Sequence, residues 1–244
     1  MAKHSHWDNI KHKKSANDAK KANVIARMGK LITVAVQMGG ANIDDNPRLR
    51  LAVAKARSAH MNMEAIERAI KKAAGEGADG RIMSEVTYEG YAPGGVAVLV
   101  DVLTDNRNRT APEVKKLFER SGGAVGAPGC VSWQFKTRAL FVVEAVSDDT
   151  VIEALLGGGA DAVDISADAE EGQVLITAEP TQFDAISKAM GAAKLTVVSA
   201  DFSKLPDNLV TVPAGDPTLA VQKLLDALEE QEDVQDVYHN ADFA

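Results

Sequence analysis

The 244-residue sequence predicts an α+β multidomain protein: a basic N-terminal three-helix bundle followed by two α/β domains, the third of them ferredoxin-like and inserted into the second. Three observations predict it. Residues 1–75 hold 15 Lys/Arg against 6 Asp/Glu, whereas the rest of the chain holds 12 against 29, so a net charge of −8 hides a basic end and an acidic remainder. Apolar residues recur at helical spacing through the first third of the chain, and strand-like runs alternate with short helices thereafter. From Leu140 the order is strand, helix, strand, strand, helix, strand, which is the ferredoxin-like unit.

Residues 15–38 form the first expected helix, with Ser15 and Asp18 spaced as a capping box and Val24, Met28, Leu31 and Ala35 as its apolar stripe. Gly39-Gly40 ends it. Asn46-Pro47, an N-cap followed by proline at the first helical position, opens a second helix with Leu49, Val53 and Ala56 on one side. A third begins after Asn62 and turns Met63, Ile66, Ile70 and Ala73 inward. The Gly-rich stretch from Gly75 to Gly80 reads as a hinge. Strands at Val86–Gly90 and Val96–Leu103 flank the turn Pro93-Gly94-Gly95 and make a hairpin. Thr110 and Glu113 read as a capping box that opens a helix with Val114, Leu117 and Phe118 inward, stopped by Ser121-Gly122-Gly123. Then come strand 140–145, helix 150–156, strands 163–167 and 173–178, helix 183–190 and strand 196–199. After Pro206 follow a strand at 209–212, a helix at 218–230 and a strand at 234–238, which look like the missing half of the earlier hairpin-helix unit.

The expected domains are therefore residues 1–78, a basic helical domain; 79–135 with 206–244, a discontinuous α/β domain; and 136–205, inserted. Two sequential α/β domains without insertion would give the same list of elements. Cys130 is the only cysteine, which excludes an intrachain disulfide or a cysteine-based zinc site and suits a reducing compartment. The first residues turn at once into charged side chains rather than a secretory signal, and no run approaches the roughly 18 apolar residues of a membrane span. A cytoplasmic location is expected.

The basic end points to a polyanion partner. Lys3, Lys11, Lys13, Lys14, Lys20 and Lys21 are interleaved with His4, His6, Trp7 and His12, so that ammonium groups can neutralise phosphates while rings stack on exposed bases. The competing reading is a solvated terminus whose Trp7 docks on the bundle. Arg27 and Lys30 lie outside the stripe of the first helix, and Arg48 and Arg50 stand at the start of the second, where a guanidinium fork can meet phosphate beside free helix N–H groups. Arg50 could instead pair with Asp44, Asp45 or Glu64. Arg107 and Arg109 occupy a strand-to-helix loop, the usual place for a ligand, with stapling to Asp101 or Asp105 as the alternative.

Signals for catalysis are poor. Gly75–Arg81 lacks the Gly-Lys-Ser/Thr ending of a phosphate-binding loop, no Gly-x-Ser-x-Gly elbow occurs, and Gly157-Gly158-Gly159 fits a helix C-cap. His4, His6 and His12 lack a neighbouring acidic or cysteine ligand for a metal, and Cys130 reads as a buried structural thiol in a β-like run.

Several segments carry a resemblance: His4-Ser5-x-Trp7-x-Asn9-Ile10-Lys11-His12-x-Lys14, Asn46-Pro47-Arg48-Leu49-Arg50-Leu51-Ala52 and Ile66-Glu67-Arg68-Ala69-Ile70-Lys71. Tyr88-Glu89-Gly90-Tyr91-x-Pro93-Gly94-Gly95-Val96, Thr104-Asp105-Asn106-Arg107-Asn108-Arg109-Thr110 and Gly122-Gly123-x-x-Gly126-x-x-Gly129-x-Val131-x-x-x-Phe135 follow in order. The chain closely resembles the YebC/PmpR family on these segments. The resemblance implies a helical domain followed by two α/β domains, with no catalytic activity and no cofactor. It further implies a DNA-binding transcriptional regulator, or alternatively a ribosome-associated factor that relieves stalling or activates translation. The sequence departs from the family pattern at Lys3, His6, Asp8 and across Val24–Gly29, inside the expected binding surface.

Two other classes remain open at this level. A protein-interaction scaffold would work through the ferredoxin-like unit and the acidic run Glu229-Glu230-Gln231-Glu232-Asp233. An enzyme would need a pocket with perturbed titrating groups, which no spacing here demands.

Overall fold

Residues 21–75, 82–144, 147–168 and 172–244 are described by a computed structural model of the chain. It is a mixed α/β protein with three N-terminal helices and antiparallel sheets. The described residues divide into two compact units, one formed by the stretches up to Ser132 and from Val210 to Ala244, the other by Trp133–Leu209.

In the first unit, helices α1 (Lys21–Gly39), α2 (Pro47–Ser58) and α3 (Met63–Ala73) pack around Ile32, Ala35, Val36, Leu49, Ala56 and Ile66. Asn46 fixes the corner between α1 and α2. Its side chain accepts from the Leu49 amide at 3.0 Å, and its amide donates to the carbonyls of Ala35 (2.7 Å) and Gly40 (2.8 Å). The N-cap thus also closes the end of α1, satisfying groups that a helix terminus leaves unpaired. Asn62 caps α3 through the Ala65 amide at 2.8 Å. Met63 departs from the expected inward position and is 47% exposed, because as the first residue of its helix it precedes the turn that packs.

The same unit contains a four-stranded sheet built from β1 (Ser84–Ala92), β2 (Val96–Thr104), β3 (Ala124–Val125) and β9 (Val234–His239), in the order β3-β1-β2-β9. The 3₁₀ turn Pro93–Gly95 joins β1 to β2, with Gly94 and Gly95 at φ of 80° and 78°, a region open to glycine at no steric cost. β2 is central and reads Val-Ala-Val-Leu-Val-Asp-Val-Leu-Thr, apolar on both faces, as expected of a strand buried on both sides. Helices α4 (Arg107–Arg120) and, at the far end of the chain, α7 (Asp216–Glu230) bring Val114, Phe118, Leu224 and Leu228 onto one face. Each such burial contributes about 1.5–3 kcal/mol. The short parallel pair β8 (Val210–Val212) and β10 (Ala241–Phe243) completes the unit.

The expected capping box at Thr110 is replaced. The helix starts four residues earlier, with Asn106 as N-cap accepting from the Arg109 amide at 3.1 Å, and Pro112 falls inside it. Thr110 is instead buried within the helix, its hydroxyl engaged elsewhere.

The second unit comprises β4 (Phe135–Glu144), α5 (Asp148–Gly158), β5 (Asp164–Asp168), β6 (Gln173–Ala178), α6 (Phe183–Ala192) and β7 (Thr196–Pro206). The antiparallel order β5-β6-β4-β7 is the connectivity of a ferredoxin-like unit. Phe141, Val151, Ile176, Ile186 and Met190 form its core. Gly159, at φ 64°, caps α5, and a Cβ on Gly158 would stand 2.5 Å from the Ala189 side chain, so glycine there permits close helix approach.

Candidate nucleic-acid interface

The loop from Thr104 to Thr110 is built around a carboxylate that lies far away in the sequence. Asp233 has a side chain 1% exposed. Its Oδ2 accepts from Arg109 at 2.8 Å and from the Thr110 hydroxyl at 2.6 Å, with Thr104 Oγ1 at 3.2 Å. Its Oδ1 accepts from Lys30 Nζ, on the helical bundle, at 2.6 Å. Burial alone would raise the carboxyl pKa. The bonds from Arg109, Lys30 and Thr110 prevail and hold it far below the usual carboxylate range. Arg109 is pushed up in return, first by its bond to Asp233, and it also meets Asp105 at 3.3 Å.

Lys30 Nζ donates further to the Glu232 carbonyl at 2.9 Å, and one turn earlier Arg27 donates to the carbonyl of Glu229. Burial pushes the Arg27 guanidinium down, opposed by Glu229 and Asp236. Its Nε is buried without a hydrogen-bond partner, as are both amide atoms of Gln235. A cavity of about 290 Å³ opens beside this cluster, lined by Lys30, Lys72, Arg109, Asp105, Glu232 and Asp233 among others.

A second buried carboxylate lies on β1. Glu89 accepts from the backbone amides of Gly129 (2.7 Å), Val131 (2.8 Å) and Ser132 (2.8 Å), and these bonds outweigh burial to lower its pKa. Cys130 sits in this loop rather than in a strand and is only half-buried. Burial, then Glu89, pushes its thiol up, away from a nucleophile's range. Gly90 is pinned too, since a Cβ there would meet the Ala124 carbonyl at 2.5 Å and Phe118 at 2.7 Å. Several motif residues from 88 to 131 thus hold the fold together.

The sequence-predicted binding residues divide. Lys3, His4, His6, Trp7, Lys11, His12, Lys13, Lys14, Lys20 and the side chain of Lys21 lie outside the described residues. Arg27, Lys30 and Arg109 converge on residues 229–233. Arg48 pairs with Glu85 on the surface, and Arg50 donates to the carbonyls of Ile43 (3.3 Å) and Asp44 (3.1 Å) rather than to a carboxylate. Arg107 is exposed, and burial raises the Tyr88 pKa while the nearby Arg107 charge opposes that shift. Sequence reasoning missed Glu89 and the central place of Asp233. The one signal for Asp233 was its position at the end of an acidic run. Among the described residues no group of three or more His, Cys, Asp or Glu could hold a metal ion, and no helix is long and apolar enough to cross a membrane.

Residues 5–76 match the model of the TACO1/YebC protein N-terminal domain, and residues 83–241 match that of the TACO1/YebC second and third domain. The chain belongs to the TACO1/YebC family. Among its relatives, a probable transcriptional regulatory protein of Clostridium acetobutylicum is 46% identical over all of this chain and 98% of its own length. One from Desulfotalea psychrophila is 44% identical over 99% and 96% of the two chains. The crystal structure of a conserved hypothetical protein from Aquifex aeolicus superposes with a TM-score of 0.81 at 39% identity, covering 93% of each chain. Family membership covers both units, and the names of the Clostridium and Desulfotalea relatives describe probable regulatory proteins rather than enzymes.

Proposed function

We propose that the protein is a non-enzymatic, cytoplasmic regulator of gene expression that binds nucleic acid through its basic N-terminal region, as a DNA-binding transcriptional regulator. The observation that carries this reading is the concentration of 15 Lys/Arg against 6 Asp/Glu in residues 1–75 of an otherwise acidic chain. Relatives named as transcriptional regulatory proteins along the full length support it. Lys3, Lys11, Lys13, Lys14, Lys20 and Lys21 supply the phosphate contacts, with His4, Trp7 and His12 as stacking groups. Arg48 and Arg50 extend the surface along α2, and Arg107 offers a guanidinium from the loop ahead of α4. Residues 79–135 with 206–244 act as one domain that carries residues 136–205 as an insert, and protein partners meet the acidic domains.

Affinity for duplex DNA, followed by fluorescence anisotropy, should fall with salt by about 0.9 log units per log unit for each phosphate neutralised. Reversing the charges of Lys11, Lys13 and Lys14 should flatten that slope, and an unchanged slope rejects the assignment. Crosslinking in cells followed by sequencing identifies the target. Promoter DNA supports the transcriptional role, whereas ribosomal RNA replaces it with a translational one on the same charges.

A further inference from the structure

Two features that are separate in the sequence meet in the fold: the cationic face of α1 and the acidic run 229–233, some 200 residues later. Arg27 donates to the Glu229 carbonyl, Lys30 to the Glu232 carbonyl and the Asp233 carboxylate, and Arg109 to the other oxygen of Asp233. Every acceptor in this set is an oxygen, one group carries a full negative charge, and together they present to the cations what two neighbouring phosphates of a nucleic-acid backbone would present. The match is incomplete. Arg27 is a five-donor fork, yet its Nε is buried without an acceptor, which costs free energy that a bidentate phosphate would recover. The cavity beside Lys30 and Arg109 keeps these cations reachable from outside, and Arg109 remains 44% exposed.

We propose that the α1 face carrying Arg27 and Lys30, with Arg109, is a phosphodiester-binding site that residues 229–233 occupy in the unliganded protein, so that nucleic acid and this segment compete for the same cations. The proposal rests on the nucleic-acid reading above and specifies how that site is regulated. Binding of a phosphate backbone draws α1 off the segment, and the contacts that dock the bundle there open with it. One of these is the Met83 amide donating to Gln37 Oε1 at 3.2 Å.

The experiment uses the full chain and a labelled DNA duplex of about 20 base pairs, with an RNA duplex of equal length as the second arm. Asp233→Asn removes the competing charge. It should bind both duplexes about tenfold more tightly at low salt, with a log-log salt slope steeper by about 0.9 for each cation released. In an Arg27→Gln, Lys30→Gln, Arg109→Gln background, where no cation is left for Asp233 to hold, the same substitution should have little effect. For the wild-type protein, saturating duplex should speed hydrogen exchange at the Met83 amide, a readout that stands even if Asp233→Asn does not fold. If the wild-type protein binds duplex while exchange at Met83 is unchanged or slower, or folded Asp233→Asn keeps the wild-type slope, the competition is overturned and the nucleic-acid reading survives. If the wild-type protein binds neither duplex at low salt, both fall together.

Discussion

Glu89 and Asp233 are both buried carboxylates with depressed pKa values, yet they are held in opposite ways. Glu89 receives three backbone amides from a single loop, groups that cannot swing away without unfolding it. Asp233 receives an ammonium and a guanidinium on long side chains, one of them from the helical bundle, together with a threonine hydroxyl. The difference separates a permanent fastening from an exchangeable one. Backbone donors have no alternative partner, whereas Lys30 and Arg109 can trade one anion for another.

The sharpest way to break this comparison is Glu89→Ala. It orphans three amides, of which that of Val131 is bonded in a buried setting, and should cost about 3–5 kcal/mol in chemical denaturation. Asp233→Asn should cost less, about 1–3 kcal/mol, because Arg109 is 44% exposed and water can take over part of its solvation. Raising salt should narrow the gap between wild type and Asp233→Asn while leaving that of Glu89→Ala unchanged, since an amide cradle is little screened.

Acid sharpens the comparison further. Both folded pKa values lie below the unfolded ones of about 4, so each carboxylate contributes stability that is fully present above that pH and is lost as pH falls through the folded value. Each variant should flatten the acid limb of the stability curve below about pH 4. Asp233→Asn should flatten it over a wider range, because Asp233 is shifted further. The smallest effect belongs to Arg48→Ala. That pair with Glu85 has both side chains at least 41% exposed, and its loss should change stability by less than about 1 kcal/mol while reducing affinity for DNA.

Much of the fold was legible because its elements repeat a period long enough to read. The β-α-β-β-α-β run from Phe135 to Pro206 follows the predicted order, and Asn46-Pro47 and Asn62 mark helix starts as expected. Strands of two or three residues, Ala124–Val125 and Ala241–Phe243, carry no period and were missed. At Thr110 the local capping pattern misled, since the side chain is committed to Thr104 and Asp233 and Asn106 takes the cap. The cations of the candidate interface were legible as charges but not as contacts. Local sequence shows that Lys30 lies off the apolar stripe, and nothing in it tells that its counterion is Asp233, 203 positions away.

The position of β2 between β1 and β9 has a consequence for how the molecule is made. Emerging from the ribosome, β2 finds β1 at once but must wait for residues 234–239 before its second edge is hydrogen-bonded. Throughout that interval the nascent chain presents an apolar, unpaired strand edge of the kind that invites aggregation or chaperones, while Trp133–Leu209 already holds every strand of its own sheet.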